Sequence, residues 1–255
     1  VGRLLRSVLA GFDRQLGEDH LDTLRAANNV AVFLDNAGEA AEALLLYRRA
    51  AAGRKRQLGK DHPHTLDSTY NLALFLQNSG ELVEAEGLFR EVLAGCSKTF
   101  GALHHSSLDC KERLVEVLEH RASSDEATVA ACLEERVRLC RELLEGRDGT
   151  LGATHTEALH AAMLLLEALS AAQDAALEAA EVVEQAHRDA IRRHEEALGL
   201  GDPATLELTM DLAASLASRG EVSQAEEVLQ QARAAAERGL GLSSPAARAA
   251  AERVL

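Results

Sequence analysis

The phrase LGKDHPHTL, which runs from Leu58 to Leu66, returns in altered form along the whole 255-residue chain. It reads LGEDHLDTL from Leu16, FGALHHSSL from Phe100, LGATHTEAL from Leu151, LGLGDPATL from Leu198 and LGLSSPAAR from Leu240. The starts lie 42, 42, 51, 47 and 42 residues apart. A unit of that length cannot bury its own apolar face, so the units must stack side by side into a solenoid. The flanks repeat as well: LLRSVLAGFDRQLG, LYRRAAAGRKRQLG and LFREVLAGCSKTFG superpose without a gap, as do NNVAVFLDNAGEAAEA and YNLALFLQNSGELVEA.

Each unit divides into two helical segments around a Gly-Glu turn. The apolar 47% is almost all leucine, valine and alanine, aromatics supply 3% and there are three prolines. Such a composition favours helix and gives sheet little support. The expected fold is all-α. First helices are placed near 21–36, 63–79, 105–121, 156–172 and 203–218, and second helices near 39–57, 81–99, 125–148, 175–197 and 221–238. One solenoid fills residues 1–255: 1–15 as the last helix of a preceding unit, then units at 16–57, 58–99, 100–148, 149–197 and 198–239. A partial unit at 240–255, with a first helix from Pro245 to Leu255, follows. Both ends read as cut from a longer solenoid or covered by partners.

Certain positions carry one residue type at a fixed offset. Small residues fall at Ala31, Ala73 and Ala213 in first helices and at Ala43, Ala85 and Ala225 in second helices; large plugs fall at Tyr47, Phe89 and Leu229; turn glycines fall at Gly38, Gly80 and Gly220. Ala50 and Ala232 repeat a late alanine, with Val92 in its place in the second unit. On these positions the chain resembles the tetratricopeptide repeats (TPR), in the 42-residue variety of kinesin light chains and nephrocystin-like proteins. The resemblance implies a right-handed α-solenoid of helical hairpins. Units three and four depart from the pattern: they carry about nine and five extra residues and put Arg136 and Val183 where the small second-helix residue belongs. Longer helices or irregular joints are expected there.

The histidines of the repeated phrase invite a search for a metal. His20, His62, His104 and His155 share one position, which Asp202 and Ser244 take in the last two copies, and the three prolines follow it at Pro63, Pro203 and Pro245. That is the signature of a helix N-cap followed by a proline whose fixed φ suits the first turn. Three or four ligands must converge on one ion, whereas these histidines lie a repeat apart and one loop offers at most Asp61, His62 and His64. No metal site is therefore expected. His187 and His194 are seven apart on one helical face and read, like His160, as surface or satisfied interior residues. Four cysteines, Cys96, Cys110, Cys132 and Cys140, lack CxxC spacing and read as buried thiols. No GxSxG, HExxH or GxxxxGK[ST] sequence occurs, so no catalysis, cofactor or small-molecule substrate is expected.

The net charge of −14 argues against nucleic acid, whose binding draws on lysine and arginine. The imbalance is uneven: −2 over residues 1–110 and −12 over the rest, while all seven aromatics lie in the first hundred residues. No charge-free apolar run is long enough for a membrane span, and the compartment is not written in the chain. Other proteins remain as partners.

The resemblance implies that first helices line a concave groove. It carries over Arg25, Asn28, Val32, Asp35 and Asn36 in the first unit and Asp67, Tyr70, Leu74, Gln77 and Asn78 in the second. Asn29 and Asn71 stand at the recurring asparagine of the kinesin-light-chain type, and an amide can both donate to and accept from a bound backbone. Later units put Arg113, Leu164 and Asp211 there, so the asparagine ladder stops after two rungs. In the third unit Asp109, Glu112, Glu116 and Glu119 share one helical face; they either meet a basic partner segment or form a solvated surface that needs none. The expected function is a protein–protein interaction scaffold within a larger complex. The alternatives are a peptide-binding adaptor of the kinesin-light-chain kind and the regulatory region of a larger enzyme.

Overall fold

A computed structural model describes the backbone of residues 2–121, 126–174 and 180–240. The helix expected over 245–255, and the cap at Ser244, lie outside the described residues. The chain divides into two compact units, Val1–Asp125 and Glu126–Leu255. The first holds α1 (Gly2–Leu16), α2 (Leu21–Asn36), α3 (Ala40–Leu58), α4 (Pro63–Asn78), α5 (Leu82–Thr99) and α6 (His105–Arg121). The second holds α7 (Glu126–Leu151), α8 (Thr156–Asp174), α9 (Ala180–Leu198), α10 (Pro203–Ser218) and α11 (Val222–Leu240). Within each unit every helix packs on the next, so both are all-α stacks of helical hairpins. No strand occurs among the described residues, and no described helix is long and apolar enough to cross a membrane.

The repeated phrase is the joint between hairpins. Glycines of the joint, Gly59 among them at φ +88°, adopt a left-handed backbone that a side chain would strain. The residue at the shared histidine position then caps the next helix. His20 and His62 accept through Nδ1 from the amides of Asp22 and His64 at 3.2 Å, and His104 and His155 from those of Ser106 and Glu157 at 3.3 Å. Asp202 does the same from Ala204 at 2.9 Å. Each satisfies an amide that the first turn leaves without a helical partner. An Nδ1 that accepts leaves the ring proton on Nε2.

Inside a hairpin the turn is tighter. Gly38 and Gly80 donate to Asp35 and Gln77, and Glu39 and Glu81 to Leu34 and Leu76, at 2.8–3.1 Å. Gly220 and Glu221 repeat the pair of bonds on Ala217 and Leu216 at 3.0 Å. This is the Schellman pattern, in which two amides close the last turn. The fold-defining small residues disappear from solvent: Ala31, Ala43, Ala73 and Ala85 are wholly buried, and Tyr47 and Phe89 plug the space between hairpin helices. Glycine permits a closer contact still. A Cβ on Gly53 would stand 2.5 Å from a methyl of Leu24, and one on Gly95 would stand 2.5 Å from a methyl of Leu66. These two contacts are one repeat apart.

Second helices are further linked by charge. Arg6 meets Glu42 at 2.8 Å, and one repeat later Arg48 meets Glu84 at 2.8 Å. Asp13 pairs with Arg49, and Lys55 reaches Glu91 at 2.5 Å. Such half-exposed pairs each contribute at most about 1 kcal/mol, so they fix register more than stability.

Candidate functional site

First helices α2, α4 and α6 bound a groove of about 520 Å³ in the first unit. Asn28, Asn29, Tyr70, Asn71 and Asp109 all line it. The helical period explains their convergence, since Asn28 and Asn29 on α2 and Tyr70 and Asn71 on α4 stand 42 residues apart at matching turns. Asn28 is buried, and its Oδ1 accepts from Nδ2 of Asn71 at 3.4 Å. That bond is long, and the exposed Asn29 lines the groove beside it. Tyr70 meets Phe89 edge to face, with ring centroids 5.6 Å apart, and burial raises its pKa against the opposing pull of Arg113. It keeps its proton at neutral pH and can donate.

Asp67 lines the groove too, while Asp35, Gln77, Glu112, Glu116 and Glu119 lie elsewhere. Asp35 accepts the hydroxyl of buried Tyr47, whose pKa burial and Asp35 together push up to about 12. Gln77 donates to Glu116 at 2.9 Å, and Glu116 also takes a guanidinium nitrogen of Arg113 at 2.7 Å. Glu112 is buried, 4.0 Å from Arg113. Glu119 is exposed near the end of α6. The acidic face of α6 is thus partly neutralised from within, by the arginine that replaces the third asparagine of the ladder.

Arg54, His64, Phe100 and His105 also line the groove. Arg54 of α3 stands five residues before the joint glycine Gly59 and is buried. It donates to the carbonyl of His64 at 2.9 Å and to the hydroxyl of Ser68 at 2.6 Å. Burial lowers its pKa, which nearby Asp67 partly restores. Arg147, five before Gly152, is also buried and grips the equivalent carbonyl, that of Glu157, at 3.1 Å. Counting back from each joint glycine was the sequence signal that could have found this pair.

Among the described residues no group of three His, Cys, Asp or Glu side chains is placed to hold a metal. The rings of His62 and His64 lie 5.3 Å apart, with His62 occupied as a cap. The four cysteines are free and buried. Burial pushes the thiols of Cys96 and Cys110 up, and Cys110 donates to the carbonyl of Phe89 at 3.1 Å, which suits packing rather than nucleophilic attack.

Comparison with known proteins agrees with this architecture. The tetratricopeptide repeat family model matches residues 23–64, 65–115 and 205–246, together just over half of the chain. The second and third matches are separated by 116–204, which takes in most of the two units expected to be longer. No curated protein sequence matches. Among solved structures, the nearly identical TPR-like repeats assigned to a kinesin light chain of Podosopora anserina share 23% identity over 88% of this chain and 99% of that one, with a TM-score of 0.66. BtubC (BKLC) from P. vanneervenii shares 16% over 94% of each chain, with a TM-score of 0.61. YrrB, described as a TPR protein with an unusual peptide-binding site, shares 14% over 96% of this chain and 97% of its own, with a TM-score of 0.55. At these identities the likeness carries the fold and nothing finer.

Proposed function

The chain belongs to the tetratricopeptide repeat family, and on that premise we propose that it is a non-catalytic scaffold whose α2–α4–α6 groove receives an extended segment of a partner protein. The observation that carries this reading is the groove itself, where Asn28, Asn29, Asn71 and Tyr70 line one space. Amides that donate and accept can hold a peptide backbone without reading its side chains. Asp109 and Asp67 in the same groove favour a segment with a basic side chain, while Glu112 and Glu116 are engaged by Arg113. Within this reading the protein serves as a subunit of a larger assembly; a peptide-binding adaptor that exchanges partners, and a regulatory region attached to an enzyme, are the alternatives.

The test replaces Asn29 and Asn71 by alanine and follows a co-purifying partner by quantitative cross-linking mass spectrometry. Cross-links concentrated on α2 and α4, and an affinity for the partner reduced about tenfold by the pair of substitutions, support the groove. Unchanged affinity removes it. A stoichiometric partner set marks a subunit, and exchanging partners mark an adaptor.

A further inference from the structure

The second unit holds a larger groove of about 840 Å³ between α8, α9 and α10, and its chemistry differs from that of the asparagine groove. Met163, Leu166 and Leu208 give it an apolar base. His187 and His194 of α9 also line it, and each is 5% exposed. Nδ1 of His187 stands 3.0 Å from the carbonyl of Val183, and Nδ1 of His194 stands 2.9 Å from that of Ala190. A carbonyl only accepts, so each Nδ1 carries the proton and each neutral ring keeps Nε2 as an acceptor. Among the described residues neither Nε2 has a partner.

The rim adds acceptors of greater strength. Glu207 and Asp211 are exposed on α10, four residues apart on one face, and no described cation pairs with either. Like charges at that spacing repel within a helix. Across the groove Glu167 lies 3.8 Å from Arg136 of α7. Two ring nitrogens of largely buried histidines and two unneutralised carboxylates around an apolar base make a surface short of donors and of positive charge.

We propose that this groove binds an amphipathic segment of a partner protein whose lysine or arginine side chains meet Glu207 and Asp211 and donate to His187 and His194, with an apolar side chain on Met163 and Leu166. It goes beyond the α2–α4–α6 reading, from which it is independent: it names a second groove with a different occupant.

The experiment uses the full chain and a fluorescein-labelled peptide of alternating leucine and lysine, read by anisotropy, with a leucine–glutamate peptide beside it. The lysine peptide binds, more tightly at low salt, and the glutamate peptide does not. Glu207→Gln with Asp211→Asn weakens the lysine peptide by about 5- to 10-fold, as expected for two rim ion pairs. Glu18→Gln with Glu81→Gln, the same charge change on exposed residues of the first unit, leaves its affinity unchanged. Hydrogen exchange slows across 204–218 when the peptide is bound. Equal losses in the two double variants, equal binding of the two peptides, or protection confined to α2, α4 and α6 would each overturn the proposal. Because the α10 substitutions are exposed, they leave the fold intact, and failure here leaves the asparagine groove standing.

Discussion

The first unit, Val1–Asp125, closes its hairpins with aromatic rings; the second, Glu126–Leu255, does so with aliphatics and buried polar groups. Tyr47 packs at a tilt against Phe75 and Tyr70 edge to face against Phe89 in the first, with centroids 5.5 and 5.6 Å apart. The matching plug of the last hairpin is Leu229, which is only partly buried against Leu212, Leu216 and Val228. The joints differ in the same direction. Six residues before the joint glycine the first unit has Gly53 and Gly95 in close contact with a leucine, whereas α9 has Arg193, which pairs with Asp148 of α7 at 2.6 Å. Close contact demands a fixed period, and the first unit keeps 42 residues. The helix lengths differ as well: α7 runs to 26 residues, where α3 has 19 and α5 has 18.

The strongest way to break the comparison is to remove the plugs. Phe89→Ala should cost about 3–5 kcal/mol and Leu229→Ala about 2 kcal/mol, the low end for leucine because the residue is partly exposed. Urea denaturation followed by circular dichroism measures both. Equal costs would show that rings do not set the two units apart.

Capping residues give a smaller and more even contrast. Asp202→Ala should cost about 1 kcal/mol. His62→Asp should raise stability by less than about 1 kcal/mol, because a carboxylate accepts the His64 amide and also favours the positive end of the helix. Amide exchange in the first turn of α4 and of α10 reads the local effect. A destabilised His62→Asp variant would mean that the imidazole contributes packing beyond its cap bond.

The smallest effect is electrostatic. Hydrogen bonds from Arg219, and then from Arg188, hold Glu184 below the usual carboxylate range, as Arg6 does for Glu42 in the first unit. A carboxylate with a lowered folded-state pKa contributes stability that is present above its ordinary value and lost as pH falls through the depressed one. The Tm gap between the chain and Glu184→Gln should therefore be at most about 2–4 °C at neutral pH and should close on acidification through that window. A gap that persists in acid would assign the loss to packing.

Much of this architecture was legible because it depends on local rules. The repeated phrase located every described helix to within a few residues, the shared position of His62 and Asp202 disclosed its capping role, and Gly38 and Gly80 marked the hairpin turns. Tyr70, Asn71 and Asp109 could be placed on first helices by period alone. What escaped were pairings between distant positions. That Arg113 would engage Glu116 and Gln77, or that His194 would be buried with Nδ1 bonded to Ala190, depends on side-chain directions around neighbouring helices. Periodicity fixes a face and leaves its partner open.

The grip of Arg54 on His64, repeated by Arg147 on Glu157, has a consequence for anyone who would shuffle these hairpins. The covalent period begins at the leucine–glycine phrase, yet a side chain from before that phrase secures the helix after it. A module excised at Leu58 would leave its fastener behind. Recombination points at Gly38 and Gly80 would carry Arg54 together with the helix start it holds, so the unit of exchange there is offset by half a repeat from the unit of sequence.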